Sequence, residues 1–235
     1  MASNGRDEEP SSVCGPGCAC AVGNEFGERT AKREARRYRA KGPETTTRWL
    51  IEGLRGGPDG DVAGLTVLDI GAGVGAVHLA LLEAGAGGAI DVDGSPAFIA
   101  AAKKEALRVG VAHRVRHEAG DFVDLAGGIE PADLVALDRV VCCYPDMAAL
   151  VSRSAALARR RFGLVYPRDT YLGRVGIAFV NLGSLLTRSP FRAYVHRTAE
   201  VEAVVAAHGL VKRLHRTTLI WQLAVFERPI RGHTP

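Results

Sequence analysis

Cysteine is scarce and odd in number: Cys14, Cys18, Cys20, Cys142 and Cys143 are all that 235 residues contain. An odd count argues against a disulfide framework. The spacing Cys14-x-x-x-Cys18-x-Cys20 matches no standard zinc pattern and has no fourth ligand nearby. Long apolar runs are missing too. The longest, around Val175 to Leu186, is interrupted by Asn181 and Ser184 and falls short of the roughly 20 residues a bilayer demands. Met1 to Pro10 is polar and acidic, with no apolar signal region. A cytoplasmic protein without a membrane span is expected. Excess charge of either sign is also absent. Lys and Arg number 30 against 26 Asp and Glu, a net charge of +4 spread along the chain. No nucleic-acid partner is expected from so small a surplus.

What is present is enough chain for one α/β domain with a sizeable core, and one informative loop. Leu65 to Ile70 is an apolar run that reads as a buried parallel strand. Gly71, Gly73 and Gly75 follow at alternate positions, and an apolar helical pattern resumes after them. Such glycines let the backbone turn sharply and bring a ligand close to the main chain. The free N–H groups at the helix start face that ligand. Gly71-x-Gly73-x-x-Ala76 also fits a looser dinucleotide fingerprint. Asp69 favours another ligand. An anion two residues before the first glycine would repel a pyrophosphate but suits a molecule carrying an amine and a sulfonium.

Further acidic residues sit at expected strand ends. The second strand closes on Asp91-Val92-Asp93, with Asp93 22 positions after Gly71, near the spacing at which a carboxylate reaches ribose hydroxyls. Asp91 is a competitor on the same strand face. Ser95 and Pro96 start the next helix as N-cap and first residue. A third strand, about Arg114 to His117, runs into Ala119-Gly120-Asp121-Phe122. A fourth, Asp133 to Asp138, runs into Arg139-Val140-Val141-Cys142-Cys143-Tyr144-Pro145. A helix over about Met147 to Arg159 and a strand over Phe162 to Tyr166 follow. Thr198 is expected to cap a last helix, and strands at Val211–Thr217 and Leu219–Phe226 to close a hairpin.

Around this centre three other regions stand out. Residues 1–24 read as a disordered, Cys-containing lead-in. Residues 25–58 read as a helical N-terminal cover with a basic helix, Phe26 to Lys41, carrying Tyr38, and a second helix from about Glu44 to Leu54. Residues 59–235 form the ligand-binding domain, with an apolar helical insertion at about 169–197 that is read as a substrate lid. His78, His113, His117, His208 and His215 read as surface or packing residues. His196, beside the lid, is the histidine to test.

Hydrophobic-Asp69-x-Gly71-x-Gly73-x-Gly75 resembles the first motif of class I S-adenosylmethionine-dependent methyltransferases, and the resemblance covers roughly residues 60–227. It implies an α/β, Rossmann-like fold: a seven-stranded mixed sheet with helices on both faces. It implies S-adenosylmethionine as cofactor, leaving as S-adenosylhomocysteine, with Asp69, Gly71, Ala72, Gly73 and Gly75 at the methionine end. Asp93 would hold the ribose, and Gly120, Asp121 and Phe122 the adenine. In that family the segment after the fourth strand faces the transferred methyl group. Asp138 and Tyr144, with Tyr38 and His196, are therefore the catalytic candidates, and Arg139, Cys142, Cys143 and Arg168 the substrate contacts. A narrower resemblance to magnesium-protoporphyrin O-methyltransferases rests on Phe26-Gly27-Glu28-Arg29-Thr30-Ala31 with Tyr38, on Asp138…Tyr144-Pro145, and on Pro167-Arg168 before the apolar insertion. That family has His-Tyr-Pro where this chain has Cys142-Cys143-Tyr144-Pro145. The function expected is methyl transfer to a small molecule, with a carboxylate on a large apolar or tetrapyrrole-like acceptor as the preferred target. Two alternatives stand beside it. Cys14, Cys18 and Cys20 could fold over Cys142 and Cys143 to hold a thiophilic metal or metalloid, with a thiol or metalloid acceptor. The protein could also be a non-catalytic cofactor or metal sensor.

Overall fold

The computed structural model describes residues 26–57, 59–186 and 191–229. Two helices, α1 (Glu28–Lys41) and α2 (Thr45–Arg55), precede an alternating run: β1 (Thr66–Ile70), α3 (Ala76–Glu83), β2 (Gly88–Asp93), α4 (Pro96–Arg108), β3 (Val115–Ala119), α5 (Phe122–Leu125), β4 (Ala132–Asp138), α6 (Met147–Ala156) and β5 (Ala158–Pro167). Then come α7 (Tyr171–Leu186), α8 (Thr198–Ala207), β6 (Val211–Thr217) and β7 (Trp221–Glu227). The seven strands form one sheet in the order β3-β2-β1-β4-β5-β7-β6. The first five are parallel, and β7 runs antiparallel between β5 and β6. The order reverses between β1 and β4, so a crevice opens at the carboxyl ends of those strands.

The pleat sorts the core into two layers. Leu68, Ile70, Val135, Leu137, Phe162 and Leu164 point to one face and pack with Leu150, Val151, Val201 and Val205 of α6 and α8. Val67, Leu134, Ala136 and Val165 point to the other and pack with Leu79 and Leu82 of α3. This alternation is the period-2 pattern of strands buried on both sides.

Leu50 and Leu54 of α2 are fully buried in that second layer. Gly163 of β5 makes the approach possible, because a side chain there would run into Leu50 and Leu54. So α2 is part of the domain's core, although the sequence places it in an N-terminal cover. A Leu→Ala change at such a site costs about 2–5 kcal/mol.

Element ends shift where tertiary pairing outweighs local preference. The helix expected to reach Arg159 stops at Ala156, since Ala158 already pairs with Ala132 of β4. Arg160 then meets Asp133 at 3.4 Å and Arg161 meets Glu227 at 3.1 Å. Thr198 does not cap α8: Arg197 holds that position, and the Thr198 hydroxyl accepts from Gln222 Nε2 at 2.8 Å.

Within the apolar insertion, residues 171–186 form a helix, and none of the insertion's described residues lines the crevice. Gly173 and Ser184 of α7 face the protein, while Tyr171, Leu172, Phe179, Leu185 and Leu186 are exposed. Asn181 anchors it, its side chain exchanging two hydrogen bonds with the Ala193 backbone at 2.9 and 2.7 Å. Among the described residues no helix is long and apolar enough to cross a membrane.

Candidate active site

A cleft of about 430 Å³ lies at the carboxyl ends of β1, β2 and β4. Its floor is formed by Gly71, Ala72, Gly73 and Val74, whereas Gly75, the N-cap of α3, does not line it. Gly71, Gly73 and Gly75 have φ of 63°, 59° and 86°, a left-handed conformation that glycine adopts without steric cost. Gly71 is under a further constraint, because a Cβ there would lie 2.5 Å from Val140 Cγ2.

Asp69 ends up buried under this loop. Its Oδ2 accepts from the His78 backbone N–H at 3.2 Å and lies 2.9 Å from His78 Nδ1. Its Oδ1 has no partner among the described residues, and the residue lines the cleft. His78 is itself fully buried. Burial works against its charged form, yet the hydrogen bond to Asp69 and the charges of Asp69 and Asp91 lift its pKa above the ordinary histidine value. His78 is thus neither a surface nor a simple packing residue. Nor is His117, which bonds Asp91 Oδ2 through Nδ1 at 2.6 Å.

Of the two acids on β2, Asp93 lines the cleft and Asp91 does not. Asp93 accepts from the Gly73 N–H at 2.9 Å and the Ser95 N–H at 2.8 Å. Burial pushes its pKa up to about 6 against these two donors. Gly120, Asp121 and Phe122 reach the same cleft. Asp121 caps α5 by accepting from the Val123 N–H at 2.8 Å, and both its oxygens lie 3.0 Å from the Tyr144 hydroxyl. Tyr144 therefore donates to Asp121. Burial and the charge of Asp121 hold its phenol well above the ordinary tyrosine value, so it carries its proton at neutral pH.

The opposite wall is built by long-range polar contacts. Asp138 Oδ2 accepts from Thr47 Oγ1 at 2.5 Å. Asp138 Oδ1 lies 3.3 Å from Arg139 Nε, without hydrogen-bond geometry, so that contact is an ion pair only. Burial raises the Asp138 pKa. Arg139 is the one non-glycine residue with positive φ among those described, at 63°. It pairs with Glu44, and Glu44 also binds Arg37 Nη1 at 3.0 Å. Arg33, Arg37, Glu44, Thr47, Asp138 and Arg139 all line the cleft. Phe26 belongs to the N-terminal motif, and Arg33 and Arg37 to the basic helix read as a cover. Glu44 and Thr47 were not singled out from the sequence as site residues, because their partners Arg139 and Asp138 are remote in the chain.

Other expected contacts fall outside the cleft. Tyr38 packs among the apolar side chains under α1 and α4, and burial raises its pKa. Arg168 donates to the Thr218 carbonyl at 3.0 Å. His196 stacks on Tyr194, with ring centroids 5.9 Å apart. Its Nε2 lies 3.1 Å from the carbonyl oxygens of both Val141 and Tyr144, so that nitrogen carries hydrogen and holds the turn after β4. Tyr38, His196 and Arg168 do not line the cleft. Cys142 and Cys143 lie in a tight turn with their sulfurs 3.7 Å apart. Cys143 lines the cleft and Cys142 is buried behind it. The Cys142 thiol, with the Arg139 charge, lowers the Cys143 pKa. Cys14, Cys18 and Cys20 lie outside the described residues. Among the described residues no group of three or more His, Cys, Asp or Glu is placed to hold a metal ion.

Residues 67–160 match the family model described as Methyltransferase domain. The structure is similar to the crystal structure of magnesium protoporphyrin IX methyltransferase from Synechocystis with bound S-adenosylhomocysteine. The TM-score is 0.70 at 23% identity, over 90% of this chain and 99% of that one. Residues 67–160 thus carry a methyltransferase domain, and the chain has the Rossmann-like fold of class I methyltransferases. Among curated proteins, a magnesium-protoporphyrin O-methyltransferase of Synechocystis is 28% identical over 173 residues, 71% of this chain and 69% of that protein. A ribosomal protein L11 methyltransferase of Xylella fastidiosa is 46% identical over 122 residues. The chain spans about a third of the length of the ribosomal-protein relatives it matches.

Proposed function

We propose that the protein transfers the methyl group of S-adenosylmethionine to a carboxylate on a large, apolar, tetrapyrrole-like small molecule. The observation carrying the cofactor part is convergence: Asp69, Asp93 and Asp121, from three separate chain segments, face one cleft across the glycine loop. The residues suit the cofactor on their own chemistry. The buried, unpartnered Oδ1 of Asp69, a residue that lines the cleft, is an acceptor for an ammonium group. Each Asp93 oxygen already takes one backbone donor and keeps a lone pair for a ribose hydroxyl. Asp121 can accept from an adenine amino group, with Phe122 against the ring.

When bound, S-adenosylmethionine supplies a methyl group on a sulfonium, already activated for in-line displacement. The protein's share is alignment and exclusion of water. Arg33, Arg37 and Arg139 line the cleft wall, and although Arg37 and Arg139 also pair with Glu44, they are the cations within reach of an anionic acceptor. A carboxylate is ionised at neutral pH and needs no base, which fits a site where Tyr144 keeps its proton and His196 is turned away. The exposed apolar face of α7, just beyond β5, supplies surface for a flat apolar molecule. The acceptor named for the Synechocystis relative has that chemistry.

The test has two stages. Calorimetric titration should show micromolar binding of S-adenosylmethionine and none of NADH. Tritiated methyl should then appear in a porphyrin carboxylate, base-labile as an ester. Label in small thiols, or in ribosomal protein, would overturn the carboxylate assignment. Absence of cofactor binding would overturn the cofactor assignment as well.

A further inference from the structure

Four titratable side chains are buried together directly behind the cofactor loop. Asp69 of β1 is in register with Asp91 of β2, and Asp91 with His117 of β3, so the three form one row across the sheet. His78 of α3 closes the row from above through its 2.9 Å contact with Asp69. Its ring lies 6.4 Å from that of His117. All four are shielded from solvent: Asp69, His78 and Asp91 are at most 1% exposed, and the His117 side chain is 8% exposed. Two carboxylates side by side in such a place demand partners, and the imidazoles of His78 and His117 stand within hydrogen-bond reach of Asp69 and Asp91 respectively.

The row touches the loop at two points. Asp69 reaches the cleft with Oδ1 unpartnered. The His78 ring lies under Gly75, where a Cβ would be 2.6 Å from Cε1 and 2.7 Å from Nε2.

From this placement we propose that His78 is a positioning residue for the cofactor's ammonium group, holding Asp69 in place and giving up a proton when that group binds. The proposal rests on the S-adenosylmethionine reading above. The balance is simple. In the free protein a proton on His78 offsets the Asp69 charge. A ligand ammonium at Oδ1 offers the same carboxylate a second cation. Two cations on one buried carboxylate repel, so the proton leaves His78 for solvent and the pair Asp69–ammonium remains. No covalent bond changes. By reciprocity, a proton driven off by the ligand weakens the ligand when it is present. Affinity therefore rises with pH through the His78 titration, by at most about tenfold per pH unit. The groups facing His78 are Asp69, Asp91 and His117. Asp93 stands next along β2, and its own titration near pH 6 falls below the window used.

The experiment is isothermal titration of the full chain with S-adenosylmethionine at pH 7.5, in buffers of different ionisation enthalpy. The slope of heat against buffer enthalpy counts protons. The ligand's own amine titrates at about 7.7–8.0 and takes up protons in this range when bound as ammonium, so the His78 contribution is read as a difference. His78→Asn keeps a donor near the Nδ1 position but does not titrate. It should bind within a few fold of wild type at pH 7.5 and show only the ligand amine's own proton exchange and pH dependence, while the wild type releases up to one proton more, with its affinity relative to His78→Asn rising from pH 7 to 8.5. His78→Leu should lose about tenfold in affinity. Equal proton counts in wild type and His78→Asn overturn the proposal. Absence of any binding would instead count against the cofactor reading on which it rests.

Discussion

The two walls of the cleft are held together in different ways. The cofactor wall is local. Gly71, Gly73 and Asp93 lie within a single strand–loop–helix–strand unit, and the ties between them are backbone donors fixed by the turn. The acceptor wall is assembled from far apart in the chain. Thr47 meets Asp138 and Glu44 meets Arg139 across 91 and 95 residues. The first wall is rigid because its backbone has no alternative. The second is held by side-chain contacts that can be removed singly. Changes in the first wall should therefore act on cofactor affinity, and changes in the second on turnover.

Gly71→Val tests the first wall hardest. Its side chain would collide with Val140 and force a positive φ on a branched residue. About 3 kcal/mol of overpacking and strain should weaken S-adenosylmethionine about a hundredfold in calorimetry; near-normal binding would mean the loop tolerates a side chain. Asp93→Asn comes next, with about thirtyfold weaker binding, on the scale of one charge-assisted hydrogen bond. The wild type should follow suit in acid. The Asp93 pKa is raised to about 6, so the carboxylate is present above that value and is lost as pH falls through it. Affinity should drop by up to about tenfold per unit below pH 6. Because burial raises this pKa, the charged form costs stability above about pH 6, and that cost fades towards pH 4. Thr47→Val should lower kcat about tenfold with cofactor Kd unchanged, which equilibrium and kinetic titrations separate; a matching loss of affinity would erase the distinction between the walls. The smallest effect is expected from Tyr144→Phe. Losing one hydrogen bond to Asp121 should cost about threefold in cofactor affinity, since Asp121 keeps its bond to the Val123 N–H.

The same division explains what could be read from the sequence. The glycine loop and Asp93 were legible because their chemistry is local and strictly spaced. The individual strands were legible from apolar runs and turn residues, whereas their assembly into one seven-stranded mixed sheet came from the family resemblance. The pairing of His78 with Asp69 was not, because nine residues and a change from strand to helix separate them. Glu44, Thr47 and Arg37 gave no signal of their own, since each gains its role only from a partner on another element. The orientation of α7 was hidden for another reason. Its apolar side chains recur as a core helix's would, and only the small buried residues Gly173 and Ser184 mark the side that meets the protein. Tyr38 was drawn to the site by resemblance, whereas α1 presents Arg33 and Arg37 to the cleft in its place.

The position of β7 between β5 and β6 has a consequence for how the chain is made. β5 carries Phe162, Leu164 and Tyr166 in the core, and one of its edges is completed by β7, whose last residue is Glu227. On the ribosome, that edge stays open until β7 has emerged. The parallel half can assemble early, but its fifth strand waits with unpaired amides beside apolar side chains, an invitation to mispairing. Synthesis of β6 and β7, and not of the nucleotide-binding half, should set the pace at which the nascent domain becomes safe from aggregation.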